Sequence, residues 1–78
     1  MEIVFSPQAL ADQKYWKQTG NIRIMKRNSA LLTNIQQHPF TGIGKPEPWK
    51  GDLQGMRSRR ITDEHRLVYF IASGMIYV

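Results

Sequence analysis

The 78 residues contain no cysteine, which excludes disulfides and thiolate metal sites and is compatible with a reducing compartment. Histidine is almost as scarce. His38 and His65 stand alone, without the close spacing of a zinc site, and neither a metal nor a cofactor is expected. No apolar run approaches a membrane span, the longest being Leu67 to Ala72. Glu2 and Ser6 interrupt any basic-then-apolar signal pattern at the amino end, so a cytoplasmic location is the default. Acids are missing between Asp12 and Glu47, an interval that holds Lys14, Lys17, Arg23, Lys26, Arg27 and Lys45. With a net charge of +5 and a sequence pI of about 10.0, that distribution favours a polyanionic partner. The partner is nucleic acid or an acidic protein segment competing for the same surface; the bland alternative is a solvated helix face.

A chain of this length allows one domain, residues 1–78, with a modest core and about 60% of its unfolded surface buried. Glu2 to Phe5 is short, β-branched and aromatic, and reads as a strand. Ser6 can cap a helix with Pro7 in its first position, running to about Thr19 and stopped by Gly20. Ala9 and Trp16 fall on its buried side with Leu10 and Gln13 nearby, and Tyr15 and Trp16 read as packing residues. Asn21 can cap a second helix ending before Pro39, with Ile24, Leu31, Leu32 and Ile35 at helical spacing. Asn28 falls in that apolar stripe, where a buried amide needs partners. The short link at Gly20 and Asn21 makes the helices an antiparallel pair.

The rest reads as a meander. Asp52 to Arg57 can pair loosely with a bend at Gly55. Ser58 to Thr62 and Arg66 to Ile71 form a hairpin across Asp63-Glu64-His65, and Met75 to Val78 returns after Ala72-Ser73-Gly74. The fold class is therefore α+β: a strand, two antiparallel helices, then three or four antiparallel strands completing one sheet. The helices cover one face and leave the other open. Alternation puts Arg59 and Ile61 on one side of their strand and Ser58, Arg60 and Thr62 on the other. Arg66, Val68 and Phe70 share a side of the next. A mid-strand arginine is expected on the open face rather than in a closed core, and the sequence leaves open whether Arg59 or Arg60 lies beside Arg66.

Between helices and hairpin lies Gly42-Ile43-Gly44-Lys45-Pro46-Glu47-Pro48-Trp49-Lys50-Gly51. Proline fixes its own φ and drives the preceding residue out of the α region, so Lys45 and Glu47 are expected to be extended and stiff. A braced, charged loop can aim a carboxylate. Metal-free RNA cleavage needs a base for the ribose 2′-hydroxyl, cations for the phosphate and an acid for the leaving oxygen. Glu47 fits the base, and Arg66 with Arg59 or Arg60 can clamp a phosphate bidentately. The acid is not evident, since His65 sits in the hairpin turn and reads as a surface residue, and His38 reads as a helix-end residue.

Residues 39–48 (PFTGIGKPEP) and 58–69 (SRRITDEHRLVY) closely resemble the YoeB/Txe toxins of the RelE-like toxin–antitoxin superfamily, a resemblance running from Ile3 to the end. It implies the RelE-like microbial RNase fold and a metal-independent endoribonuclease that enters the ribosomal A site, cuts mRNA there and arrests translation. It also implies a YefM-type antitoxin whose acidic, initially disordered segment wraps the toxin. By position, Glu47 resembles the general base, Arg66 the phosphate and transition-state stabiliser, and Lys45, Lys50, Arg59 and Arg60 the RNA contacts. The family's general acid is a histidine in a carboxyl-terminal His-Tyr that is not among these residues, while Trp49 replaces a usual leucine and Arg57 a usual tryptophan. The 78 residues are expected to cleave RNA poorly while keeping much of the binding surface. The alternative is a non-catalytic module binding RNA, the ribosome or antitoxin. An exposed outer strand leaves a homodimer open.

Overall fold

The computed structural model describes residues 1–48 and 55–78. The elements are β1 (Glu2–Val4), α1 (Pro7–Gln18), α2 (Ile22–Gln37), β2 (Glu47–Pro48), β3 (Arg57–Arg60), β4 (Arg66–Ala72) and β5 (Met75–Tyr77). The five strands form one sheet in the order β1-β5-β4-β3-β2. The β2-β3-β4-β5 part is antiparallel, as the meander requires, whereas β1 lies parallel to β5. The last strand thus sits inside the sheet, between β1 and β4, instead of at its edge. No helix among the described residues is long and apolar enough to cross a membrane.

Both helices start where side-chain oxygens offer caps. Ser6 Oγ accepts from the Ala9 N–H at 3.1 Å and Asn21 Oδ1 from the Ile24 N–H at 3.2 Å, each satisfying a donor that the helix itself cannot. Gly20, at φ +71, provides the left-handed residue that ends α1. The helices bury different amounts. In α2 the positions 24, 28, 31 and 35 are all buried, while no residue of α1 is. On α1, Trp16 packs against the core with part of its surface exposed, and Tyr15 and Leu10 are 63% and 53% exposed. The packing expected of Tyr15 therefore fails: it lies one position beyond the narrow face that α1 presents.

Ile24, Leu31 and Ile35 meet Leu67, Tyr69 and Ile76 of the sheet, and Ile61 just past β3, to form the core. Asn28 enters the same stripe at 6% exposure, and its Oδ1 has no hydrogen-bond partner among the described residues. A buried unpaired acceptor is costly, while an apolar side chain of similar volume is not. Asn28→Leu is expected to raise stability by about 1 kcal/mol, read as a higher urea midpoint; a lower midpoint would show that the amide is satisfied.

Candidate active site

Register settles which side chains share the open face of the sheet. Glu47 lies opposite Ser58, Ser58 opposite Val68, and Arg60 opposite Arg66. Cross-strand partners project to one side, so Arg60, not Arg59, is the neighbour of Arg66. Glu47 is extended as expected, and its two-residue strand fixes it to β3. Arg66 Nη2 lies 2.9 Å from Glu47 Oε1, with the two side chains 25% and 50% exposed. That Nη2 makes no bond of hydrogen-bonding geometry among the described residues: the two charges are close, but the N–H directions miss the carboxylate. The one well-formed bond from this guanidinium runs from Nε to Ser58 Oγ at 3.0 Å. Arg66 is thus anchored at one corner and retains donor capacity at another.

Lys45 departs from expectation. Its φ is +50, left-handed in spite of the proline that follows. Gly44, at φ +80, begins the same sharp turn, which delivers the Gly44 carbonyl to the Arg60 N–H at 2.7 Å. Docking the loop against β3 overrides the preference of a residue before proline. Lys45 remains exposed. Lys50 and Trp49 lie outside the described residues, as do positions 52–54 of the expected loose strand, of which Arg57 opens β3. Arg57, in its unusual position, places its guanidinium 5.0 Å above the Phe40 ring, an arrangement in which cation and ring attract.

Arg59 is the main correction. A mid-strand arginine was expected on the open face, but Arg59 is fully buried, at 0% exposure, on the side of β3 that faces α2. Among the described residues its guanidinium meets neutral oxygens. Nε donates to Tyr69 Oη at 3.2 Å, Nη1 to Asn34 Oδ1 and to the Ile43 carbonyl at 3.3 Å, and Nη2 to the His38 carbonyl and to the Thr41 carbonyl at 2.8 Å. Tyr69 Oη in turn donates to the Pro39 carbonyl at 2.9 Å. This side chain gathers the end of α2 and the following loop into one cluster, and no atom of it is left to reach RNA. Of the two neighbouring arginines, Arg60 is the one left on the open face.

Asn34, Ser58 and Tyr69 escaped sequence reasoning as supports of the site. Only Tyr69 left a signal, because alternation places it on the face opposite Arg66. His65 is exposed, its ring edge-on to Trp16 at 6.4 Å between centroids, and His38 terminates α2 with its carbonyl spent on Arg59. Neither stands as a proton donor beside Glu47 and Arg66. What the arrangement offers is a carboxylate that can accept a proton, next to two arginines able to bind an anion.

A family model described as the YoeB-like toxin of bacterial type II toxin–antitoxin systems matches residues 5–78. Toxin YoeB of Escherichia coli strain K12 is 41% identical over 78 residues, covering 100% of this chain and 92% of that protein. The YoeB dimer from Staphylococcus aureus superposes with a TM-score of 0.88 at 44% identity, covering 99% of this chain and 88% of that one. The heterotetrameric YoeB–YefM toxin–antitoxin complex of the same organism gives 0.86 at 44% identity and the same coverages.

Proposed function

We propose, because this chain belongs to the YoeB-like toxins of bacterial type II toxin–antitoxin systems, that it acts in the cytoplasm as a metal-independent endoribonuclease on mRNA in the ribosomal A site, inhibiting translation. The observation that carries this reading is the approach of Glu47 and Arg66, 2.9 Å apart on the open sheet face. Glu47 takes the proton of a ribose 2′-hydroxyl as its oxygen attacks the adjacent phosphorus. Arg66, tethered through Ser58, turns its unspent donors to the phosphate oxygens, where charge gathers in the transition state, and Arg60 adds a second cation. The P–O bond to the 5′-oxygen breaks, leaving a 2′,3′-cyclic phosphate, and the departing oxygen needs a proton. In the family a histidine supplies it, and no side chain of the 78 residues is assigned that role.

The partner is a YefM-like antitoxin. An acidic segment suits a chain of net charge +5, and the relative's complex with YefM supports the pairing. The relative's dimer likewise supports a homodimer.

A chemical-rescue assay tests the mechanism. Ribosome-dependent cleavage is expected to rise when imidazolium buffer supplies the missing proton, and Glu47→Gln is expected to lower the rescued rate about 100-fold. A rescued rate indifferent to Glu47→Gln would remove the carboxylate from the chemistry. The reading would then move to a module that acts by binding RNA, the ribosome or antitoxin.

A further inference from the structure

Beside the β3–β4 hairpin the first two turns of α2 leave an open groove of about 870 Å³. Arg23, Arg27 and Arg60 line it from two elements that are distant in sequence, with Asp63 and Glu64 at the hairpin. Arg27 Nη2 donates to the Arg60 carbonyl at 3.4 Å, a long bond that holds its guanidinium over the groove. Among the described residues Arg60 makes a loose pair with Asp63, at 3.8 Å, with that carboxylate 98% exposed. A pair so exposed contributes little and exchanges readily for another anion. Arg60 also belongs to the open face through its register with Arg66. The groove and the Glu47–Arg66 pair therefore meet at one residue, Arg60, at the end of β3.

We propose that this groove is a second RNA subsite, which holds the sugar-phosphate backbone outside the cleaved position. Backbone, not bases, is the fitting ligand. The only ring among the lining residues, His65, is already edge-on to Trp16, so bases find no open stacking surface, whereas three guanidinium forks match successive phosphates. The inference rests on the RNA-binding part of the function above and is independent of its chemistry.

The test is the salt dependence of affinity for a fluorescein-labelled single-stranded RNA, followed by anisotropy as KCl is varied. Each phosphate contact on a single strand contributes about 0.7 to the slope of log K against log salt, so Arg23→Gln with Arg27→Gln is expected to flatten it by about 1.4. The charge-keeping pair Arg23→Lys with Arg27→Lys is expected to restore the slope, which separates lost contacts from a damaged fold. Glu47→Gln, expected to lower the rescued cleavage about 100-fold, is expected not to flatten the slope. The subsite is overturned by an unchanged slope in the glutamine pair, or by equal flattening when Lys14 and Lys17 of α1 are replaced instead. It is also overturned if a polyglutamate peptide binds as tightly as the RNA with the same dependence on Arg23 and Arg27, which would assign the groove to an acidic protein segment. Retained flattening together with cleavage indifferent to Glu47→Gln would sink the catalytic reading and leave the subsite standing.

Discussion

Arg59→Met is expected to lower folding stability by about 4 kcal/mol, the scale of leaving several buried acceptors without a donor. Methionine fills much of the volume, so packing is not the main loss. What disappears is the donor set: the carbonyls of His38, Thr41 and Ile43, together with Asn34 Oδ1, lose the guanidinium that satisfied them. Each buried acceptor left without a donor costs about 1–3 kcal/mol, moderated where the loop opens to water. A chain of this size has a total stability of about 4–12 kcal/mol, so the variant is expected to be largely unfolded or to melt far below the parent. Arg59→Lys is expected to recover less than half of the loss, because an ammonium is a point donor that cannot span the same fork. Urea unfolding measures both. A change below about 1 kcal/mol for the methionine variant would mean that water replaces the guanidinium freely and that the cluster is not a clamp.

Gly42→Ala is expected to cost about 3 kcal/mol, made up of backbone strain and collision. Gly42 sits at φ +117, and a Cβ there would lie 2.0 Å from Asn34 Oδ1, the atom that accepts from both Arg59 and the Ile43 N–H. Making room displaces Asn34 and takes two hydrogen bonds with it. Gly20 is the control. It also has a positive φ, +71, but a Cβ would meet nothing within 4 Å, so Gly20→Ala is expected to cost about 1 kcal/mol, from strain alone. Thermal melting of both variants gives the difference. Equal losses would show that conformation, and not the approach to Asn34, requires glycine at position 42.

Much of the architecture was legible because it follows from local rules. Caps at Ser6 and Asn21, the glycine stop after α1 and the apolar spacing of α2 gave the helices within a residue or two. The hairpin around Asp63 to His65 fixed the antiparallel core of the sheet. Two things were not local. The parallel insertion of β5 beside β1 depends on a contact between the two ends of the chain, which no spacing rule encodes. The fate of Arg59 depends on carbonyls that become available only once the end of α2 and the glycine loop have packed over β3. Charge alone argued for the surface, and the backbone oxygens of the loop outweighed it. At the candidate site, Glu47 could be named because two prolines isolate it and Arg66 because alternation exposes it. The register that pairs Arg66 with Arg60 required coordinates, since a shift of one residue would have exchanged Arg60 for Arg59.

The neutral cage around Arg59 divides the chain's cations into two populations with different answers to ionic strength. Those facing solvent interact with other charges through water, and those interactions weaken as salt rises. Arg59, enclosed among the described residues, is solvated by fixed dipoles, so dissolved salt screens it far less than the exposed cations.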